Sequence, residues 1–149
     1  MLVKLKKDMV VAMRAKEKLR LGTIRMLIAE INKAEIAKRS PLDEAETVTL
    51  LTREAKKRRE AAELYKEGGR LELAEKEELE LLVIQGYLPK AMGGEEVREI
   101  VQAIIERVQP QSQKDMGKVM GPLMPQIRGR FDGKAASAIV REEMAKALS

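Results

Sequence analysis

Apolar residues recur along this chain at steps of three and four positions, which is the spacing of amphipathic helices. Two such series open the chain: Leu2, Leu5, Met9 and Met13, then Leu21, Ile24, Leu27, Ile28 and Ile31. No segment alternates apolar and polar residues as a half-buried strand does. The pattern therefore predicts an all-α protein.

A third helix is predicted after Ser40-Pro41, because proline is tolerated only in the first turn of a helix. Its capping pair is either Ser40 with Asp43 or Asp43 with Glu46. The predicted buried stripe comprises Val48, Leu51, Ala55, Ala62 and Tyr65. Gly68-Gly69 should end this helix, since glycine is the usual C-terminal stop.

A domain boundary is predicted after a fourth helix at about residues 71–86. Pro89 prevents the continuation of that helix, and Gly93-Gly94 follow within a few residues. We therefore expect an N-terminal antiparallel helical bundle over residues 1–88, a linker over residues 89–94, and a small C-terminal three-helix subdomain over residues 95–149.

The C-terminal part again shows helical spacing. Its predicted apolar faces are Val97, Ile100, Val101, Ile104 and Val108 in one helix and Ala136, Ile139, Val140 and Met144 in the last. Between them, Ser112 with Asp115 predicts a capping box, and Asp132 is the predicted N-cap of the last helix.

Residues 114–134 differ from the rest of the chain, because they hold four of the ten glycines and two of the five prolines. On a helical wheel the apolar face comprises Met116, Val119, Met120, Leu123 and Ile127. The opposite face carries Lys114, Gly117, Lys118, Gly121, Pro125 and Arg128. Each interior glycine costs ~1 kcal/mol relative to alanine and an interior proline ~3 kcal/mol, so a merely solvated face would not need them.

Two interpretations of this glycine face remain open. A sugar-phosphate backbone could approach closely, and the nearby basic residues favour this reading: Lys114, Lys118, Arg128, Arg130 and Lys134. Alternatively, Gly117 and Gly121 seat another helix of the same domain and the basic residues are only solvated. Gly129 also has a structural reading, as a helix stop before Asp132.

The amino-acid composition excludes several kinds of catalytic and metal-binding site. The chain has no Cys and no His, which excludes disulfides, thiolate zinc sites, a cysteine nucleophile and the commonest general base. We expect no cofactor and no metal site. No window approaches the ~20 continuous apolar residues that span a bilayer, so we expect a cytoplasmic protein without a membrane partner.

Charge is unevenly distributed around a net value of +5. Residues 1–39 hold eleven basic and four acidic residues, whereas residues 72–106 hold nine Glu. Two basic ends therefore flank an acidic middle. Basic ends fit a polyanionic partner such as nucleic acid, but surface ion-pair networks also give this composition.

Four motifs together resemble the GatB/YqeY family, in order and over essentially the whole chain. They are TIRMLIAEI at residues 23–31, REAKKRREAAELYKEGGR at 53–70, YLPK at 87–90 and DMGKVMGPLMPQIRGRFDGK at 115–134. This family is similar to the C-terminal tail of GatB, a component of the aspartyl/glutamyl-tRNA amidotransferase. The resemblance implies two all-helical subdomains joined by a hinge and a tail that helps to engage tRNA.

The family carries the term carbon-nitrogen ligase with glutamine as amido-N-donor, although other parts of the amidotransferase perform the chemistry. This chain has no nucleophile signature and no ATP-binding loop, so we expect no catalytic residue of its own. The predicted partners are tRNA or, alternatively, an aminoacyl-tRNA synthetase or amidotransferase docked through the acidic middle and the hinge. A subunit that takes part in amide transfer within a complex is the third reading.

The predicted RNA-binding residues come from the glycine face and from the family motif. They are Lys114, Gly117, Lys118, Gly121, Arg128, Gly129, Arg130, Gly133 and Lys134. Phe131 departs from the motif, and an exposed ring there would stack on a base.

Overall fold

A computed structural model describes all 149 residues, which form seven α-helices and one short 3-10 helix. No strand is present, so the predicted all-α class is confirmed. The chain divides into two compact units, Met1–Leu88 and Pro89–Ser149. None of the helices combines the length and the apolar character needed to cross a membrane.

The N-terminal unit contains four helices, here called α1 to α4. Their bounds are Leu2–Arg14, Lys18–Lys38, Glu44–Glu67 and Leu71–Gln85. The most extensive contact joins α3 to α4, and α1 packs on α2, which also contacts α3 and α4. The unit thus consists of two helical hairpins connected through α2, and not all four helices are mutual neighbours as in a regular bundle.

Most of the core of this unit comes from the predicted helical stripes, and Ala12, Ile84 and Tyr87 add to them. Its buried residues are Leu5, Ala12, Ile24, Leu27, Ile31, Leu51, Ala55, Ile84 and Tyr87. At the start of α3, the Asp43 carboxylate accepts from the Glu46 N–H at 2.7 Å and the Glu46 side chain accepts from the Asp43 N–H at 3.2 Å. The capping pair is therefore Asp43 with Glu46. Gly68 and the left-handed Gly69 follow the last turn, as predicted.

A charged group at the α3–α4 contact was not expected from the sequence. Glu54 is buried, and its carboxylate accepts from Arg58 Nη1 at 2.7 Å. Arg58 Nε also lies 3.4 Å from a carboxylate oxygen of Glu80 on α4. Because the Glu54 carboxylate is paired, its burial is tolerated within the hairpin.

The C-terminal unit contains α5 (Gly94–Val108), a 3-10 turn (Gln113–Asp115), α6 (Met116–Ile127) and α7 (Gly133–Leu148). The three α-helices contact one another pairwise around a single core. Its fully buried side chains include Val97, Val101, Val119, Leu123, Ile127, Ala136, Val140 and Met144. The predicted apolar faces of all three helices therefore meet in one place.

The capping box predicted for Ser112 and Asp115 is wrong. Ser112 Oγ accepts from the Lys114 N–H at 3.3 Å and starts the short 3-10 turn. The Asp115 carboxylate instead accepts from the Gln111 N–H at 2.8 Å. Spacing alone could not distinguish these outcomes, because a 3-10 turn brings different N–H groups to the serine than an α-helix does.

The segment predicted as a linker, residues 89–94, is bound to the C-terminal unit. The Met92 N–H donates to the Arg130 carbonyl at 2.7 Å, and Arg130 Nε donates to the Lys90 carbonyl at 2.9 Å. The Met92 side chain also packs against the core of this unit. These contacts hold residues 89–94, the first residues of the C-terminal unit, against the rest of that unit.

Candidate nucleic-acid interface

Helix α6 carries the centre of the candidate site, and its inner face fixes its orientation. Val119, Leu123 and Ile127 are fully buried, and Met116 and Met120 are half-buried against the same core. The predicted apolar face is thus confirmed. Since these residues point inward, the glycine-containing side of the helix must point outward.

The outer face of α6 is exposed and smooth. It comprises Lys114, just before the helix, Gly117, Lys118, Gly121, Pro125 and Arg128, which follows the helix. A Cβ atom built on Gly117 or Gly121 would meet no neighbouring atom within 4 Å. The alternative in which these glycines seat another helix of the same unit is therefore wrong, and the face is open to an external ligand.

Two prolines lie inside α6 and change its hydrogen bonding. Pro122 and Pro125 have no backbone N–H, so the carbonyls of Lys118 and Gly121 lack their usual helical donor. The Gly121 backbone is exposed, and glycine adds no side chain to cover it. The outer face consequently offers backbone acceptors next to its positive charges.

The basic residues of this face differ in whether they have a carboxylate partner. Lys118 Nζ lies 3.5 Å from Asp115 Oδ1, whereas Lys114 and Arg128 form no salt bridge. The hydrogen bond from the Gln111 N–H, followed by the charge of Lys118, holds the pKa of Asp115 below its ordinary value. An exposed pair of this kind contributes little free energy, so Lys118 can exchange Asp115 for another anion.

The turn between α6 and α7 is shaped by Gly129. This residue has a φ of +73°, in the left-handed region that favours glycine. The Arg130 and Phe131 N–H groups both donate to the Ile127 carbonyl, at 2.8 and 3.0 Å. The Asp132 carboxylate then accepts from the Ala135 N–H at 3.0 Å and starts α7. The predicted helix stop and N-cap are thus confirmed.

Two residues of this turn, Arg130 and Phe131, make contacts within the C-terminal unit. The Nε–H of Arg130 is engaged by the Lys90 carbonyl. Phe131 is half-buried and packs against the core of the unit. The expectation of an exposed ring at Phe131 is therefore wrong, because the tight turn at Gly129 directs this side chain toward the helices.

The nine predicted residues fall into three groups. Gly129 and Arg130 lie in the turn between α6 and α7. Five lie along the outer face of α6: Lys114, Gly117, Lys118, Gly121 and Arg128. Gly133 and Lys134 form the first turn of α7 beyond the Gly129 turn. The role of Asp115 beside Lys118 was not predicted, although a carboxylate three residues before a lysine on a helix is a recognisable signal.

Comparison with known proteins gives a family match and several relatives. The model of the Yqey-like protein family matches residues 2–144. "Altered inheritance of mitochondria protein 41, mitochondrial" of Pyrenophora tritici-repentis is 34% identical over 145 residues, which cover 95% of this chain and 79% of that protein. The protein of the same name from Eremothecium gossypii is 38% identical over 88 residues, or 58% of this chain and 48% of that protein.

The family match begins in α1 and ends within α7, so it includes both units and the whole outer face of α6. The relatives named here are described as mitochondrial proteins. The resemblance carried by the four sequence motifs is confirmed. The chain belongs to the YqeY-like family, the family of GatB-associated domains.

Proposed function

We propose that this chain is an accessory tRNA-binding module in tRNA metabolism, related to the tail of the glutamine-dependent amidotransferase and without a catalytic site of its own. One observation carries the proposal. Gly117 and Gly121, one helical turn apart, lie uncovered between exposed Lys114, Lys118 and Arg128. The family term carbon-nitrogen ligase would then describe complexes that contain such a module.

Charge and shape both favour an RNA backbone as the ligand. Lysine and arginine neutralise phosphates, and the missing Cβ atoms allow a sugar-phosphate chain to approach the helix. The Lys118 and Gly121 carbonyls, which lack their usual helical donors, would accept hydrogen bonds from ribose 2′-hydroxyls, which DNA lacks. The chain has only three aromatic residues, so recognition through backbone and shape is expected instead of base stacking.

The predicted residues would contribute in different ways. Lys114, Lys118, Arg128 and Lys134 would contact phosphates directly. Gly117, Gly121 and Gly133 would permit close approach. Gly129 and Arg130 would act indirectly, by holding the turn between α6 and α7. A cytoplasmic location for this activity stays a prediction.

Fluorescence anisotropy with labelled tRNA tests the proposal. Replacement of Lys118 and Arg128 by Gln should weaken binding about tenfold or more, because two phosphate contacts are lost. The matched control replaces Arg107 and Arg141 by Gln, since these exposed arginines of α5 and α7 lie outside the α6 face and form no salt bridge. An equal loss in both variants would show that only net charge matters and would contradict the assignment of the site.

Close approach can be tested separately from charge. Gly121→Leu should weaken tRNA binding while helicity is retained, because its side chain would extend into open space. Gly22→Leu is the control, since Gly22 is a glycine within α2 that also has no neighbour within 4 Å. RNA and DNA duplexes of equal sequence then test the carbonyl acceptors, and a clear preference for RNA is expected.

The alternative function is the docking of an aminoacyl-tRNA synthetase or amidotransferase through the acidic middle of the chain, residues 72–106. Its support is the charge of α4, which carries five Glu and one Lys. If wild-type protein fails to bind tRNA at low salt, this alternative becomes the better account.

A further inference from the structure

Helix α4 exposes an apolar and acidic face that packs against nothing in its unit. Leu71 and Leu82 are 66% and 63% exposed, and Leu79 is 42% exposed. With Glu72 and Glu75, they lie within about 100° of the helix circumference. These two glutamates form no salt bridge, unlike Glu78 and Glu80 of the same helix. The acidic face of α4 is defined here by Leu71, Glu72, Glu75, Leu79 and Leu82.

Helix α1 exposes a face of the opposite charge. Val3 and Val11 are 70% and 64% exposed, and Lys7 and Arg14 lie on the same side of the helix without a carboxylate partner. These residues follow one another at steps of three and four, as Leu71, Glu75, Leu79 and Leu82 do on α4. These four residues form the basic face of α1.

We propose that the basic face of α1 in one copy of this chain packs against the acidic face of α4 in a second copy. The two faces match in length, since α1 has 13 residues and α4 has 15. Both place exposed aliphatic side chains beside unpaired charges, and the charges are of opposite sign. Burial of the leucines and valines would supply the attraction, and the charge pairs would set the pairing of α1 with α4.

A second copy fits this surface because the N-terminal unit carries both halves of the contact. In a pair related by a twofold axis the contact is made twice, which increases the buried area without further residues. The proposal does not depend on RNA binding, because α1 and α4 belong to the N-terminal unit and the glycine face to the C-terminal unit.

Sedimentation equilibrium on nuclease-treated protein at low and high salt provides the first measurement. We expect a reversible monomer–dimer equilibrium whose dissociation constant rises about tenfold or more at high salt, since exposed charge pairs are screened. Protein that remains monomeric at low salt and at the highest accessible concentration would overturn the proposal and leave the faces to another partner.

A charge exchange tests the pairing itself. Glu72→Arg/Glu75→Arg makes both faces basic, and Lys7→Glu/Arg14→Glu makes both faces acidic, so each variant alone should be monomeric. Their mixture should form a heterodimer, because each α1 again meets an α4 of opposite charge. A mixture that stays monomeric while both variants keep native helicity would contradict the α1–α4 pairing.

Two further variants distinguish this contact from a general effect of net charge on association. Leu71→Ser/Leu82→Ser should weaken the dimer about tenfold or more without any change in charge. The control Glu60→Arg/Glu63→Arg changes the charge of exposed residues on α3 by the same amount and should leave the dimer unchanged. If the control is as disruptive as Glu72→Arg/Glu75→Arg, net charge and not the proposed face governs association.

Discussion

Tyr87 donates its phenolic hydrogen to the carboxylate of Asp8, although 79 positions separate the two residues in the chain. Tyr87 is the last buried residue of the N-terminal unit and belongs to its core, whereas Asp8 lies in α1. Lys4 adds its ammonium group 5.4 Å from the centre of the tyrosine ring. The end of the α3–α4 hairpin is thereby attached to the first helix.

Replacement of Tyr87 by Phe should lower the free energy of unfolding by about 1–2 kcal/mol, because the half-buried Asp8 carboxylate loses its donor. Urea unfolding at neutral pH measures this loss. If the Tyr87→Phe variant has the same free energy of unfolding as wild type, the hydrogen bond makes no net contribution to stability.

Alkaline titration checks the same contact independently. Burial, followed by the hydrogen bond to Asp8, raises the pKa of Tyr87 to about 12. The contribution to stability is complete below the ordinary tyrosine pKa of about 10 and is lost as the pH rises through 12. Phenolate absorbance should therefore show a step near pH 12 that Tyr87→Phe abolishes and the control Tyr65→Phe retains.

A second prediction concerns Glu143, a carboxylate of α7 that is only 5% exposed. It accepts from Arg98 at 2.7 Å and from Gln102 at 3.1 Å, both on α5. These hydrogen bonds, that of Arg98 first, hold the pKa of Glu143 below its ordinary value. The carboxylate therefore stabilises the unit above its ordinary pKa of about 4.3, and this contribution is lost as the pH falls through the lowered pKa.

Glu143→Gln should cost about 1–3 kcal/mol at neutral pH and should reduce the loss of stability on acidification. Urea unfolding at pH 7 and in mild acid measures both effects, and Glu106→Gln, at an exposed residue of α5 that forms no salt bridge, serves as the control. Parallel pH profiles for Glu143→Gln and wild type would contradict the role assigned to this carboxylate.

The glycines of the candidate site should differ in their effect on stability. Gly117→Ala and Gly121→Ala should each raise the free energy of unfolding by up to about 1 kcal/mol, because alanine favours the helix and meets no neighbour. Gly129→Ala should lower it by about 1–2 kcal/mol, because its φ of +73° strains a residue with a Cβ. Thermal unfolding measures both, and a loss of stability at Gly117 or Gly121 would imply that these positions are packed.

Local patterns predicted the helices well, because spacing and capping depend on neighbouring residues. The Asp43–Glu46 capping box, the stop at Gly68-Gly69 and the buried stripe of α7 all follow from residues within a few turns of one another. The outward direction of Gly117 and Gly121 follows in the same way, since the apolar positions of α6 determine which side faces inward.

Contacts between distant segments could not be predicted. No local pattern connects Tyr87 with Asp8, Arg58 with Glu80, or Arg130 with Lys90. The same limit explains the wrong expectation for Phe131, because its burial depends on how the Gly129 turn meets the core. The sequence therefore predicted the exposure of Gly117, Lys118 and Gly121 correctly, but it could not distinguish Arg130, which anchors residues 89–94, from a free arginine.

The salt dependence of tRNA binding tests the central claim most directly. For wild type we expect a slope of log affinity against log salt of roughly −2 to −4, since each phosphate contact contributes about 0.7 to 0.9. Replacement of Lys114, Lys118, Arg128 and Lys134 together by Gln should bring this slope close to zero while helicity is retained. No binding by wild-type protein at low salt, or an unchanged slope in the fourfold variant, would contradict an RNA-binding face on α6.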